Sequence, residues 1–290
     1  MKITLKYQLL ITILLFFSGA KAQVINDSLL IDGHYRSFHF NKPSASTTNA
    51  SLIFVVHGSG GTGTESMKYT AKLMALAEAE NILMVFPDGY KNNWNECRKM
   101  APAAANIDNI DENTFFSQMI DYFVTNYKIN PAKVFAVGIS GGGHMVYTLA
   151  MTMPEKFKAI TVLIANIPVT DNMNCVDKKT PIPVMIINGT KDQTNPYNGG
   201  ISAKNKGLVR STEETFCYWA TLGGYTGKPE METLPDTDPA DGKTIEKYTY
   251  EQKGKPEVTL LKVINGEHNY PGDIDVYLES WSFFKRQIKK

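Results

Sequence analysis

Cysteine is scarce in this chain: there are three in 290 residues, spread out at Cys97, Cys175 and Cys217. An odd, dispersed set excludes a disulfide-stapled miniature scaffold and allows one intrachain bond at most. No C-x-x-C, H-E-x-x-H or calcium-loop spacing occurs, so no metal site is expected. An excess of either charge is also lacking, since 30 basic and 29 acidic side chains leave a formal +1. That balance gives no electrostatic footprint for nucleic acid. No apolar run reaches the roughly 18 residues needed to span a bilayer, so no membrane anchor is expected. What is present, 43% hydrophobic and 20% charged residues with 22 Gly and 14 Pro, is the composition of a folded globular chain.

The first residues carry an address. Lys2 and Lys6 precede the apolar stretch Leu9 to Phe17, and Ala20-Lys21-Ala22 supplies a small-x-small cleavage pattern. Residues 1–22 are therefore expected to be a secretory signal peptide, cleaved near Ala22, with residues 23–290 as one catalytic domain. Removing three lysines and no acid moves the formal charge from +1 to −2. Export to an oxidising compartment permits one disulfide. Cys97 and Cys175, both in polar sequence, are the favoured pair, and Cys217, in the helical run Glu213 to Leu222, reads as a small buried hydrophobe.

Strand-like and helix-like segments alternate along the chain, which predicts an α/β architecture with a mostly parallel sheet. Ser28 to Ile31 and Tyr35 to Phe40 flank Asp32-Gly33 and read as a hairpin. Ser51 to Val56, Ile82 to Phe86, Lys133 to Val137, Ala159 to Ile164, Pro183 to Ile187 and Val258 to Ile264 read as strands. Helices are expected from about Glu65 to Asn81, Asn113 to Tyr127, Gly142 to Met153 and Val276 to Lys289, and another opens at the capping box Ser211-x-x-Glu214. Residues 90–109 read as a long polar loop.

Directly after the strand ending at Val137 comes Gly138-Ile139-Ser140-Gly141-Gly142, a G-x-S-x-G turn between a strand and a helix. Such a tight turn strains the serine backbone and projects its hydroxyl above the carboxyl edge of the sheet, beside a helix N-terminus. Ser140 is the candidate nucleophile. Its base must follow it in the chain, and of the two later histidines His144 lies one turn down the same helix, which leaves His268, just past a strand. The acid expected between them is Asp192, at the end of Pro183 to Ile187, with Asp273 and Asp275 as substitutes that follow the histidine. His57-Gly58-Ser59-Gly60-Gly61 can aim a backbone N–H of Ser59, or of Gly60, at an oxyanion together with that of Gly141. His57 reads as a brace for that turn. Gly58, Gly60 and Gly63 also fit G-x-G-x-x-G with Asp88 as a ribose-binding acid, a dinucleotide reading that leaves Ser140 and His268 without a role.

Taken together, these motifs resemble the secreted α/β-hydrolase esterases grouped as polyhydroxybutyrate-depolymerase-like and feruloyl-esterase-like, related to the first carbohydrate-esterase family. The resemblance rests on Asp32-Gly33-x-x-Arg36, His57 to Gly61, Pro87-Asp88-Gly89 with Trp94-Asn95, and the Ser140 turn. It continues through Asn188-Gly189-Thr190-x-Asp192 with Pro196-Tyr197, Leu234-Pro235-Asp236 with Asp238-Pro239, and Gly266-x-His268 with Pro271-Gly272. It implies an α/β-hydrolase fold, Ser140, Asp192 and His268 as the catalytic set, no cofactor, and an ester substrate that is small or linked to polysaccharide. Feruloyl or acetyl esters on plant polysaccharide are the expected targets. A polyhydroxyalkanoate depolymerase, or a non-catalytic carbohydrate-binding protein on the same fold, are the alternatives. This chain has Gly141 where the family often has Asn, and Tyr270 where it often has Trp. Trp94, Tyr90 and Tyr270 are candidates to stack on a sugar or phenolic ring.

Overall fold

The computed structural model describes residues 23–42, 47–203 and 206–289. The signal peptide expected over residues 1–22 lies outside the described residues. The hairpin forms from β1 (Gln23–Ile31) and β2 (His34–Lys42), joined by Asp32 and Gly33, both with positive φ. Those angles are the ones that a two-residue turn between right-twisted strands requires. The chain then runs through β3 (Ser51–Val56), α1 (Gly63–Tyr69), α2 (Ala71–Leu76), β4 (Ile82–Pro87), α3 (Ala104–Ile107), α4 (Glu112–Tyr127), β5 (Val134–Ile139), α5 (Gly141–Thr152), β6 (Ala159–Leu163) and β7 (Val184–Gly189). It continues with β8 (Gly200–Ile201), β9 (Leu208–Val209), α6 (Thr212–Leu222), β10 (Glu230–Thr233), β11 (Thr244–Tyr250), β12 (Val258–Ile264) and α7 (Val276–Lys289).

Ten strands make one sheet in the order β1-β2-β4-β3-β5-β6-β7-β12-β11-β10, and the six from β4 to β12 run parallel. The two antiparallel pairs at the edges bracket that parallel centre. Central strands are buried on both faces, and their side chains alternate between two cores. Leu52, Phe54 and Val56 join Phe116, Phe123, Met145 and Trp219, whereas Ile53 and Val55 join Leu73, Trp281 and Phe284. Helices therefore cover both faces, α4, α5 and α6 on one side and α2 and α7 on the other. This is the α/β-hydrolase architecture.

The expected helix from Glu65 to Asn81 is two short helices. At Thr70 the hydroxyl donates to the Met67 carbonyl at 3.0 Å, and this local bond competes with continuation of the helix. Cys97 and Cys175 form a disulfide with Cα atoms 5.1 Å apart. Cys217 is exposed, contrary to expectation, because α6 buries the stripe Thr212, Thr215, Phe216, Trp219 and Ala220 and turns residue 217 outward. β10 and β11 have no counterpart in the sequence reading. The former is exposed throughout and carries no apolar alternation.

Candidate active site

All the elements that deliver functional side chains end at the carboxyl edge of the parallel strands. Ser140 joins β5 to α5 with φ 53° and ψ −117°, a strained conformation for a residue with a side chain. The turn closes so tightly that a Cβ on Gly138 would lie 2.3 Å from the Gly142 carbonyl oxygen. Only glycine fits there. β7 leads into the turn that carries Asp192, and β12 leads into the loop that carries His268. Lys191 N–H donates to the Gly266 carbonyl at 2.8 Å and ties these two loops together.

The three side chains meet. His268 Nε2 lies 2.9 Å from Ser140 Oγ, and His268 Nδ1 lies 2.7 Å from Asp192 Oδ2. The other Asp192 oxygen accepts the backbone N–H groups of Thr194 and Asn195 at 2.7 and 2.8 Å. The Asp192 side chain is 1% exposed and that of His268 24%, so the carboxylate is sealed while the ring faces the cleft. With an acceptor-only carboxylate at Nδ1, that nitrogen carries the proton and Nε2 accepts from the serine hydroxyl. Asp273 and Asp275 are engaged elsewhere: the first accepts from Thr237 and Asp238, and the second caps α7 through Tyr277 and Leu278.

Ser59 lies against the Ser140 turn, since a Cβ on Gly141 would be 2.8 Å from the Ser59 backbone nitrogen. Gly60 N–H is committed to the Asn92 carbonyl at 2.7 Å. Among the described residues no backbone acceptor takes the N–H of Ser59 or of Gly141. Two backbone N–H groups without a backbone acceptor therefore lie at the Ser140 turn. His57 is buried and braces this loop: Nδ1 donates to the Gly58 carbonyl at 2.7 Å, and Nε2 accepts Gly89 N–H at 2.9 Å. Burial lowers its pKa, which keeps the ring in the neutral form that this bonding requires. Asp88 accepts Gly63 N–H at 2.7 Å and pairs with His39 at 2.9 Å, so both its oxygens serve the fold instead of a ribose. His144 is buried in α5, with Nε2 against Asn195 Oδ1 at 2.9 Å.

The aromatic candidates lie apart from this cleft. Trp94 is 2% exposed, packs on His57 and Phe116, and donates its indole N–H to the His57 carbonyl at 2.9 Å. Its faces are consumed by the core, which removes it as a stacking platform. Tyr90 packs edge-on against His34, and Tyr270 stacks on Tyr69 with its hydroxyl 3.0 Å from that of Tyr277. The cleft over Ser140, about 200 Å³, is lined instead by Arg98, Thr194, Asn195 and Lys206, with Ser59 and His268. Sequence reasoning passed over the first four. Asn195 lies only three residues beyond Asp192, but Arg98 sits in a polar loop with no pattern to mark it.

Comparison with known proteins bears on the same region. A family model described as phospholipase/carboxylesterase matches residues 41–216, more than half of the chain. The chain is similar to NocK, a protein of Nocardia uniformis named as an esterase, with 25% identity over 230 residues, covering 76% of this chain and 65% of that one. It is also similar to feruloyl esterase B of Piromyces equi, with 25% identity over 227 residues, covering 77% of this chain and 39% of that one. The chain thus spans less than two thirds of the length of these relatives. In three dimensions it resembles an acetyl xylan esterase from Aspergillus awamori, with TM-score 0.63 and 17% identity, covering 90% of this chain and 99% of that chain.

Proposed function

The chain belongs to the phospholipase/carboxylesterase family, a family of carboxylic ester hydrolases, and from that premise we propose that it is a secreted serine esterase acting through an acyl-enzyme. Ser140 is the nucleophile, His268 the general base and acid, and Asp192 the carboxylate that holds the imidazole in one tautomer. His268 Nε2 takes the hydroxyl proton as Ser140 Oγ bonds to the ester carbonyl carbon. The oxyanion that forms rests against Ser59 N–H and Gly141 N–H. As the tetrahedral species collapses, the carbon–oxygen bond to the alcohol breaks and the alcohol leaves with the proton from His268. Water, deprotonated by the same ring, then releases the acid and restores the serine.

The observation that carries this reading is the unbroken run of bonds from Ser140 Oγ through His268 to Asp192, at 2.9 and 2.7 Å. A non-catalytic carbohydrate-binding protein has no use for such a relay. The small cleft favours a short acyl group over a feruloyl one, because no aromatic ring other than His268 lines it among the described residues. An acetyl ester on a carbohydrate is accordingly the proposed substrate. Residues 23–290 act as one catalytic domain after export, a reading that the Cys97–Cys175 bond supports.

Ser140→Ala tests the assignment. Turnover of 4-nitrophenyl acetate should fall roughly 10⁴- to 10⁶-fold with an unchanged circular dichroism spectrum. A variant that turns over at near-normal rate refutes the nucleophile, and wild-type activity confined to polyester film refutes the substrate class.

A further inference from the structure

The wall of the cleft is charged in one sense. Arg98 and Lys206 both line it, and no Asp or Glu is among the described residues on its surface. Arg98 lines the cleft although its side chain is only 3% exposed. Its backbone N–H and its Nε both bond to Glu96, at 2.9 and 2.8 Å, and its Nη2 lies 2.7 Å from Glu96 Oε1. Glu96 thus grips one edge of the fork from behind. The far nitrogen, Nη1, has the Ser202 hydroxyl at 3.5 Å, the outer limit of a hydrogen bond. Lys206 stands beside the oxyanion donors, with Nζ 3.1 Å from Ser59 Oγ.

Glu96 holds the guanidinium through Nε and one terminal nitrogen, which leaves the other terminal nitrogen, with only the 3.5 Å contact to Ser202, as a donor for an acceptor that enters the cleft. We propose that Arg98 and Lys206 make this cleft selective for esters that carry a carboxylate within a few atoms of the scissile carbonyl. An acetylated sugar acid, with its carboxylate on the alcohol side, is the carbohydrate form of such a molecule. Glu96 orients the guanidinium, and Lys206 adds a second cation to the same wall. A planar fork held at one edge presents its remaining N–H groups to a carboxylate at little entropic cost. The inference rests on the esterase reading above and narrows its substrate.

Two matched pairs of esters test it. 4-Acetoxybenzoate and its methyl ester differ only in a carboxylate on the alcohol side. Mono-4-nitrophenyl glutarate and its methyl ester differ only in one on the acyl side. Each kcat/KM is divided by the alkaline hydrolysis rate of the same compound, so that intrinsic reactivity cancels. A charge-assisted contact predicts a charged-to-neutral ratio of roughly 10- to 100-fold in at least one pair. That ratio should fall severalfold between 20 mM and 500 mM NaCl, because the cleft is open to solvent. It should also collapse in Lys206→Met and in the double variant Glu96→Gln/Arg98→Met, which leaves no charge buried alone. Neutral esters hydrolysed as fast as their charged partners in both pairs would overturn the inference and leave the esterase reading standing. Hydrolysis of neither member would overturn both. A preference that persists in Lys206→Met and in the folded double variant would show that these cations do not cause it.

Discussion

Gly141→Ala is the substitution that interrogates the oxyanion site most directly. An added Cβ would lie 2.3 Å from Ser59 Oγ and 2.8 Å from Ser59 N. The hydroxyl can rotate away, but the backbone nitrogen cannot, and ordinary contact begins at 3.4 Å. Ser59 N must therefore recede by about 0.6 Å, which carries a donor from hydrogen-bonding distance to the margin of any useful interaction. Losing one such donor costs on the order of 10²- to 10³-fold in kcat, or about 3 to 4 kcal/mol. The fold should tolerate the change, because Gly141 lacks a positive φ and alanine favours the first turn of a helix. Stopped-flow or steady-state hydrolysis of 4-nitrophenyl acetate supplies the rates, and thermal unfolding controls for stability. A variant within threefold of wild type in kcat would show that Ser59 N–H does not hold the oxyanion. A large rise in KM alone would point to binding instead.

Two further outcomes concern stability. The Cys97–Cys175 bond closes a separation of 78 residues, so Cys97→Ser/Cys175→Ser should lose about 4 kcal/mol in urea unfolding on the chain-entropy account; an unmoved midpoint would contradict it. His144 is held neutral, since burial first and the Arg98 charge second push its pKa well below 6.5, and its Nδ1 has no partner among the described residues. The folded state refuses a proton that the unfolded chain accepts below pH 6.5, so this residue's contribution is intact above that pH and is lost as the solution is acidified. Acidification from pH 7 to pH 5.5 should therefore lower the stability in part through His144. His144→Gln should lose correspondingly less over that interval, and equal losses in the two proteins would dismiss the buried ring as the cause.

What was legible in the sequence is what backbone geometry compels. A serine at φ 53° between a strand and a helix needs small neighbours, and Gly138 and Gly142 record that need as letters. The boundaries of β3, β12 and α7 were equally plain, since long apolar or amphipathic runs leave little choice of element. Asp192 and His268 were legible as residues just past strands in the serine–acid–histidine order of this architecture, and the same edge of the sheet receives all three. The stacking role given to Trp94 failed for a reason of the same kind. Its neighbour His57 faces the loop interior, and the indole follows it to donate to the His57 carbonyl. A tryptophan in a polar loop reads the same whether its ring points in or out.

Specificity is harder to read than chemistry because it is assembled from loops far apart in the chain. The disulfide pins Cys97, and Arg98 follows it into the cleft floor. Lys206 arrives from the connection between β7 and α6, more than a hundred residues later. Neither has a periodic pattern or a fixed spacing to Ser140, so only the folded chain brings their charges together. The nucleophile turn obeys a local steric rule that any sequence must satisfy, whereas the cation pair obeys only the demand of whatever molecule enters. An esterase can therefore keep every residue of its reaction machinery while its substrate drifts with two side chains. The salt dependence of the charged-to-neutral ratio, more than any alignment of motifs, is the measurement that reads that second layer.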